Sequence, residues 1–171
     1  MFSIFKIFKK KKIVPHIRLS GVIGSVGKFK QGLNFAGQQE LIEKAFSIKK
    51  AKAIAISVNS PGGSPVQSHL IYSYIKKQAK KNKKKVLVFA EDVAASGGYL
   101  IACAGDEIYA NSSSIIGSIG VIYSSFGLQE LIKKAGIQRR IYTAGKNKST
   151  LDPFVEEKKE DVERLKKIQL E

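Results

Sequence analysis

Residues 86–111 read VLVFAEDVAASGGYLIACAGDEIYAN, and the rest of the chain can be arranged around this stretch. An apolar run of strand character, 86–90, gives way to small residues and to Ser96, which stands directly before two glycines. An apolar helical segment, 99–104, and a second strand-like run, 107–110, follow. A serine between a strand end and a helix start lies beside free backbone N–H groups, which together with the helix dipole favour negative charge. A serine nucleophile needs this environment for the oxyanion that it creates, so Ser96 is the candidate nucleophile.

The flanking sequence repeats the alternation of strand and helix. Residues 51–59 predict a buried strand that ends at the turn SPGGSP, where Ser64 fits a helix cap and Pro65 the first helical position. The remaining pattern predicts an edge strand or hairpin over 13–24, a loop over 25–37, helices over 38–48 and 66–81, a turn and strand over 117–125, a helix ending at Gly136, a strand over 138–143 and a charged helix from 156. This alternation indicates an α/β fold with a largely parallel sheet, whose site lies in the loops after the strands.

Length and composition indicate one domain over 13–171 that follows a basic leader, 1–12. The chain has 171 residues, and its apolar fraction of 43% is ordinary for a folded protein. Its single cysteine, Cys103, excludes an intramolecular disulfide and a cysteine-based metal site. The sequence lacks a histidine and carboxylate cluster as well as the phosphate-binding patterns GxxxxGKS/T and GxGxxG. We therefore expect no metal and no cofactor, and we interpret the glycines of SPGGSP as a turn or a close backbone approach.

The net charge of +16 narrows the class of partner. The 30 basic residues include only four arginines, so 26 are lysines. Proteins that bind nucleic acid rely more on arginine for paired contacts to bases and phosphates, which makes nucleic acid the least favoured partner. Two lysine-rich runs, 6–12 and 76–85, carry much of the excess charge. They fit either a solvated surface or attraction to an anionic membrane.

The leader, MFSIFKIFKKKK, is too short to span a bilayer, and no small-residue cleavage site follows it. It fits a short amphipathic segment that lies on a membrane surface, and it fits a disordered leader equally well. We therefore expect neither a transmembrane helix nor a cleavable signal peptide in this chain.

The nucleophile needs a base, and the histidines do not supply one. His16 and His69 fall in a predicted strand and a predicted helix, and neither lies in a loop beside an acid. Ala94 stands where the nucleophile elbow of α/β-hydrolases has its first glycine. Lysine is the known substitute, and it acts only when burial or nearby positive charge lowers its pKa. The loop AGKNK offers Lys146 and Lys148, and spacing does not choose between them.

Four motifs carry a family resemblance: VNSPGGSP, AEDVAASGGYLIACAGDEIYA, GSIGVI and YTAGKNKSTLDPF. In this order and spacing they resemble the S49 peptidases, the family of signal peptide peptidase A and SohB-like serine proteases. The resemblance implies a ClpP/crotonase-like fold of repeated ββα units and a serine endopeptidase with a Ser/Lys dyad. It implies Ser96 as the nucleophile, Lys148 as the general base and Ser118 as the serine that orients the lysine. It places the oxyanion hole at Gly63 and Gly97.

The resemblance also implies partners and a location. Family members form ring-like homo-oligomers with dyads near subunit interfaces, and they cleave apolar, membrane-derived peptides such as signal-peptide remnants. Relatives continue past the last helix of this chain, so we expect its C-terminal helical part to be incomplete. We expect a bacterial protein that is membrane-associated or cytoplasmic, in a family that includes members facing the periplasm.

Two other classes of function stay open. A catalytically silent protein with the crotonase fold could serve as a scaffold at a membrane surface. An acyl-CoA enzyme of the crotonase type would use the same oxyanion chemistry without requiring Ser96. The reactivity of Ser96 toward a serine-directed probe separates the peptidase from both.

Overall fold

The structure, a computed structural model, describes residues 12–24, 32–145 and 147–170. Most of the leader, much of the predicted loop over 25–37 and Lys146 lie outside the described residues. The chain divides after Gly120 into two compact units, Met1–Gly120 and Val121–Glu171. The first unit contains the sheet, and the second contains two helices and a long connecting segment.

The first unit is a parallel sheet whose strands alternate with helices. Its elements are β1 (His16–Ser20), α1 (Phe35–Ser47), β2 (Ala53–Ser60), α2 (Pro65–Asn82), β3 (Lys85–Ala95), α3 (Gly97–Ala102), β4 (Glu107–Ala110) and β5 (Ile115–Gly117). The strand order is β1-β2-β3-β4, and β5 pairs with β3 beyond the end of β4. All pairings among the described strands are parallel, so the predicted α/β fold is confirmed.

One face of the sheet carries the hydrophobic core. Buried and half-exposed residues alternate along β2, with Ile54, Ile56 and Val58 on the buried side. Side chains of α1 and α2, among them Phe46 and Ile71, complete this core. The alternation fixes the register of the sheet, because a shift by one residue would turn the apolar side chains to the open face.

Polar caps set the starts of α1 and α2. Ser64 caps α2 and Pro65 occupies its first turn, as predicted. The predicted loop is wrong over 35–37, because α1 begins at residue 35. The side chain of Asn34 accepts the N–H of Gly37 at 2.9 Å, and this cap starts a helix where the glycine had favoured a loop.

β1 lies at the edge of the sheet, as predicted, but the alternative of a hairpin is wrong. β1 pairs in parallel with β2 rather than with the residues that follow it. Gly21, with a φ of +106°, turns the chain out of the strand. Ile23 then forms isolated bridges to Leu33 and to Gly63. The end of the predicted hairpin therefore lies against the SPGGSP turn.

β3 continues past its predicted end at residue 90, and it does so through a bulge. Over this stretch β2 advances by two residues while β3 advances by four. The side-chain carbonyl of Asn59 accepts the N–H of Val93 at 3.2 Å, and its amide donates to the Asp92 carboxylate at 2.8 Å. Because bulges bend a strand and re-aim the side chains that follow, Asn59 helps to set the direction in which the chain reaches Ser96.

The second unit departs furthest from the predicted elements. Its helices are α4 (Gln129–Lys134) and α5 (Lys159–Leu170), and Gly136 follows α4 with a φ of +68°, as the predicted helix end requires. Neither the strand predicted over 138–143 nor the one predicted to follow the turn within 117–125 is present among the described residues, and β5 ends at Gly117, before that turn. Ile122 and Tyr142 are 89% and 91% exposed. Strand-forming residues without a neighbouring strand do not form a strand by themselves.

Candidate active site

Ser96 follows β3 in a backbone conformation that serine rarely adopts. Its φ is +52° and its ψ is −122°, a region in which a side chain costs about 1–3 kcal/mol. Two hydrogen bonds hold this conformation: the Ser96 N–H donates to the Gly117 carbonyl at 2.8 Å, and the Ser96 carbonyl accepts the N–H of Leu100 at 3.0 Å. The strain is therefore imposed by the two elements on either side, and strain of this kind is typical of functional residues.

The SPGGSP turn packs directly against Ser96. A Cβ added at Gly62 would lie 2.7 Å from the Cβ of Ser96 and 2.9 Å from the nitrogen of Gly97. Gly62 has a φ of +101°, so both the available space and the backbone conformation require glycine here. Sequence reasoning expected a close backbone approach at this turn but singled out only Gly63. The glycine that contacts Ser96 is its neighbour, and the consecutive glycines were the signal for both.

Two backbone N–H groups adjoin the contact between Gly62 and Ser96, because Gly63 and Gly97 directly follow these two residues in the chain. The Gly62 carbonyl accepts the N–H of Ile23 at 2.8 Å, and since the peptide is trans, the N–H of Gly63 points the opposite way. The Ser96 carbonyl accepts from the first turn of α3, which by the same geometry turns the N–H of Gly97 out of the helix. Neither N–H is used in a hydrogen bond between described residues. Both could therefore donate to an oxyanion.

Two buried serines, which sequence reasoning missed, support this arrangement. The Ser60 hydroxyl accepts the N–H of Gly62 at 3.1 Å. The Ser68 hydroxyl donates to the Ser64 carbonyl at 2.8 Å, and it lies 2.2 Å from the position that a Cβ on Gly97 would take. Both serines are fully buried. Their signal in the sequence was a polar residue on the buried face of an otherwise apolar strand or helix.

Ser118 lies next to Ser96 through the backbone. It shares a peptide with Gly117, whose carbonyl accepts the Ser96 N–H. Ser118 has a φ of +54° and is exposed. The first unit thus brings together four of the five predicted site residues, Ser96, Gly63, Gly97 and Ser118, at the carboxyl ends of strands, where loops of a parallel sheet carry sites.

Lys148, the fifth predicted site residue, belongs to the second unit. It lies in a turn-rich segment, where its N–H donates to the Gly145 carbonyl at 3.4 Å. Its side chain is exposed. The pairing of Lys148 with Ser96 stays a prediction, and Lys146 lies outside the described residues.

The histidines make hydrogen bonds to other serines. His16 Nε2 lies 2.7 Å from the hydroxyl of Ser57, and His69 Nε2 lies 3.1 Å from the hydroxyl of Ser73. Among the described residues, neither ring is hydrogen-bonded to Ser96. These contacts agree with the expectation that histidine is not the base.

An ion pair joins β1 to the bulged part of β3. Arg18 contacts the Glu91 carboxylate at 2.6 Å. The hydrogen bond from Arg18 lowers the pKa of Glu91, and the same bond raises the pKa of Arg18. The backbone carbonyl of Glu91 also accepts the hydroxyl of Ser114 at 2.6 Å. This residue therefore links β1 and the loop before β5 to the strand that ends at the candidate nucleophile.

A family model supports the class of protein that this fold and site suggest. The model described as "Peptidase family S49" matches residues 78–169, a stretch that contains Ser96, Ser118 and Lys148. The chain belongs to peptidase family S49. Membership of this family, together with the parallel sheet, confirms the predicted ClpP/crotonase-like α/β class.

Relatives share most of this chain but are much longer. A Brucella melitensis protein named Na(+)/H(+) antiporter NhaA is 59% identical over 159 residues, which are 92% of this chain and 22% of that protein. The chloroplastic serine protease SPPA of Arabidopsis thaliana is 38% identical over 72% of this chain and 19% of that protein. The chain thus spans about a fifth of the length of each of these relatives, and their names describe the whole proteins.

Among solved structures, a membrane-bound stomatin-specific protease aligns with a TM-score of 0.49 and 18% identity, over 74% of this chain and 66% of that one. Among the helices that the structure describes, none combines the length and the apolar character of a membrane span.

Proposed function

We propose that this chain carries the catalytic part of a serine endopeptidase with a Ser/Lys dyad. The observation that carries the proposal is the strained Ser96, which packs against Gly62 of the Gly-Gly turn, while the N–H groups of the next residues, Gly63 and Gly97, make no hydrogen bond to described residues. Oxyanion stabilisation by such preorganised donors is commonly the largest single contribution to acyl transfer. Membership of family S49 supports the same class of reaction.

In the proposed reaction, the Ser96 hydroxyl attacks a peptide carbonyl while neutral Lys148 accepts its proton. The N–H groups of Gly63 and Gly97 donate to the oxyanion that forms. Lys148 then gives the proton to the leaving amine, and the acyl group remains on Ser96 as an ester. Water attacks this ester with the lysine again as the base, which releases the acid and restores the serine. Ser118 is the positioning residue, because its hydroxyl would hold Lys148 toward Ser96.

The exposure of Lys148 connects the dyad to assembly. A lysine acts as a base only when burial or positive charge lowers its pKa, and Lys148 is exposed in the single chain. A homo-oligomer with dyads near its subunit interfaces would supply that burial. Light scattering on the full chain checks this part of the proposal, since a purely monomeric protein that is fully active would contradict it.

The proposed substrates are apolar peptides, including membrane-derived ones such as signal-peptide remnants. Membership of family S49, together with a relative from Enterococcus faecium named a putative signal peptide peptidase, supports this class of substrate. We also assign the leader, 1–12, to contact with an anionic membrane surface, because its lysines stand beside apolar and aromatic residues. Glutamine in place of its lysines should weaken binding to anionic vesicles, and unchanged binding would contradict this role.

A fluorophosphonate probe tests the reaction class directly. The wild-type chain should form an adduct that maps to Ser96, with faster labelling as the pH rises from about 7 toward 10, where a lysine loses its proton. Ser96→Ala should abolish the adduct and Lys148→Ala should slow it strongly. Ser113→Ala and Lys134→Ala change an exposed serine and an exposed lysine elsewhere, and they should label like the wild type.

The outcomes separate the three classes of function. A folded protein without an adduct at any pH in this range favours the silent scaffold or the acyl-CoA enzyme. An adduct at Ser96 that is equally fast in Lys148→Ala keeps the peptidase and rejects Lys148 as its base.

A further inference from the structure

Two lysine-rich segments that are distant in the sequence meet at one end of the sheet, the end at which its strands begin. The Lys84 ammonium donates to the Ile48 carbonyl at 2.7 Å, and the N–H of Lys85 donates to the Lys52 carbonyl at 3.2 Å. These bonds join the turn after α1 to the turn after α2. The lysines of these two turns and of the last turn of α2 form a surface that we call the basic edge: Lys49, Lys50, Lys52, Lys80, Lys81, Lys83 and Lys84.

Nearby carboxylates leave the charge of the basic edge uncompensated. Glu107 pairs with Lys85, and Glu40 pairs with Lys44, neither of which belongs to the basic edge. Asp106 accepts a backbone N–H from the start of β3. Among the described residues no salt bridge uses a lysine of the basic edge, and six of its seven side chains are exposed. This surface therefore presents an unneutralised positive charge to its surroundings.

The topology brings the start of β1 to the same end of the sheet. All described strands are parallel, so their first residues lie together. The Pro15 carbonyl accepts the N–H of Ala55 at 2.9 Å, which fixes the entry of the chain into β1 beside the start of β2. The entry into β1 therefore lies at the same end of the sheet as the basic edge. Ser96 follows the other end of β3, whose 11 residues span about 35 Å at the usual rise of a strand.

We infer that the basic edge is a docking surface for an anionic lipid bilayer. Its charges are all lysines, which act as point charges on flexible stems and suit a diffuse layer of headgroups. It contains no arginine, the residue that nucleic-acid surfaces use for paired contacts to bases and phosphates. Docking through this edge directs the opposite end of the sheet, with Ser96, away from the bilayer surface. The inference does not depend on the reactivity of Ser96.

Vesicle flotation with the full chain tests this assignment. The protein should float with vesicles of phosphatidylcholine and phosphatidylglycerol and stay behind with phosphatidylcholine alone, and salt should weaken the binding. The edge variant carries four substitutions: Lys49→Gln, Lys50→Gln, Lys80→Gln and Lys81→Gln. Each lysine near an anionic surface contributes roughly a fivefold factor to the affinity for that surface. The affinity of the edge variant for the anionic vesicles should therefore fall on the order of several hundredfold.

A matched control removes the same charge from the second unit: Lys133→Gln, Lys134→Gln, Lys166→Gln and Lys167→Gln. The control should lose only a few-fold in affinity, because the proposal assigns contact with the bilayer to the basic edge alone and charges without such contact are screened within about 10 Å. Arginine at the four positions of the edge variant keeps the charge and should keep the binding, which separates charge from folding. Equal loss in the two glutamine variants, or equal binding to neutral vesicles, would overturn the proposal. So would tighter binding to a single-stranded RNA that displaces the vesicles.

Discussion

Gly62 offers the sharpest test of the packing beside the candidate nucleophile, because the chain contains a matched control. Gly62 and Gly21 have nearly the same φ, +101° and +106°. A Cβ at Gly62 would lie 2.7 Å from the Ser96 Cβ and 2.9 Å from two backbone atoms, whereas no described atom lies within 4 Å of the same position at Gly21. Alanine at both sites therefore imposes the same backbone strain but a clash at only one.

The expected difference follows from these distances. The left-handed conformation costs alanine about 1–3 kcal/mol at either site. Overpacking against backbone atoms that cannot move independently adds about 1–3 kcal/mol at Gly62 alone. Gly62→Ala should therefore unfold at a lower urea concentration than Gly21→Ala, and its Tm should be lower by about 2–4 °C for each kcal/mol of added strain.

Urea denaturation of both variants and the wild type measures the difference, and fluorophosphonate labelling supplies a second readout. Gly62→Ala should label slowly because any relaxation of the clash displaces Ser96. Gly21→Ala should label at close to the wild-type rate. Equal destabilisation of the two variants would refute the reasoning, since it would mean that contact with Ser96 is not what requires glycine at this position.

Three further predictions follow from neighbouring residues. Ser96→Gly should be more stable than Ser96→Ala by about 0.5–2 kcal/mol in urea, because glycine relieves the positive φ at the cost of some unfolded-state entropy. Asn59→Ala should destabilise by about 1–3 kcal/mol, because the Val93 N–H loses its acceptor at the bulge, and an unchanged urea midpoint would contradict this role. Since Arg18 lowers the pKa of Glu91, the pair contributes stability above the ordinary value of 4.5 and loses it as the pH falls through the folded pKa. The stability difference between wild type and Glu91→Gln should therefore shrink from pH 6 to pH 3. A difference that grows would contradict a lowered pKa of Glu91 in the folded state.

The strands and turns of the first unit could be predicted from the sequence because their signals are local. Apolar β-branched runs gave β2 and the start of β3, and Ser64 with Pro65 gave the start of α2. The bulge could not be predicted in this way, because it depends on Asn59 reaching across to a neighbouring strand. The predicted strand over 138–143 failed for a related reason, since composition alone cannot supply the partner strand that pairing requires.

In the candidate site, too, the residues with local sequence signals could be predicted, whereas the contacts that depend on tertiary packing could not. The glycines of SPGGSP and the serine of AASGG are local signals, and both lie where the sequence placed them, at the ends of β2 and β3. The contact of Gly62 with Ser96 and the burial of Ser60 and Ser68 depend on tertiary packing. No pattern of spacing in a single sequence distinguishes the glycine that makes a contact from the glycine that presents an N–H.

The strain at Ser96 bears on the choice between a peptidase and a silent scaffold. A scaffold needs the turn between β3 and α3 but not a side chain in it, and glycine would form that turn without the cost of a positive φ. Hydrogen bonds with Gly117 and Leu100 hold the Ser96 backbone in the strained form, and Gly62 packs against it. A residue kept in a conformation that its own side chain disfavours is expected where the side chain is used. This argument favours a reactive Ser96 over a structural one, and it applies to the first unit whatever base serves the reaction.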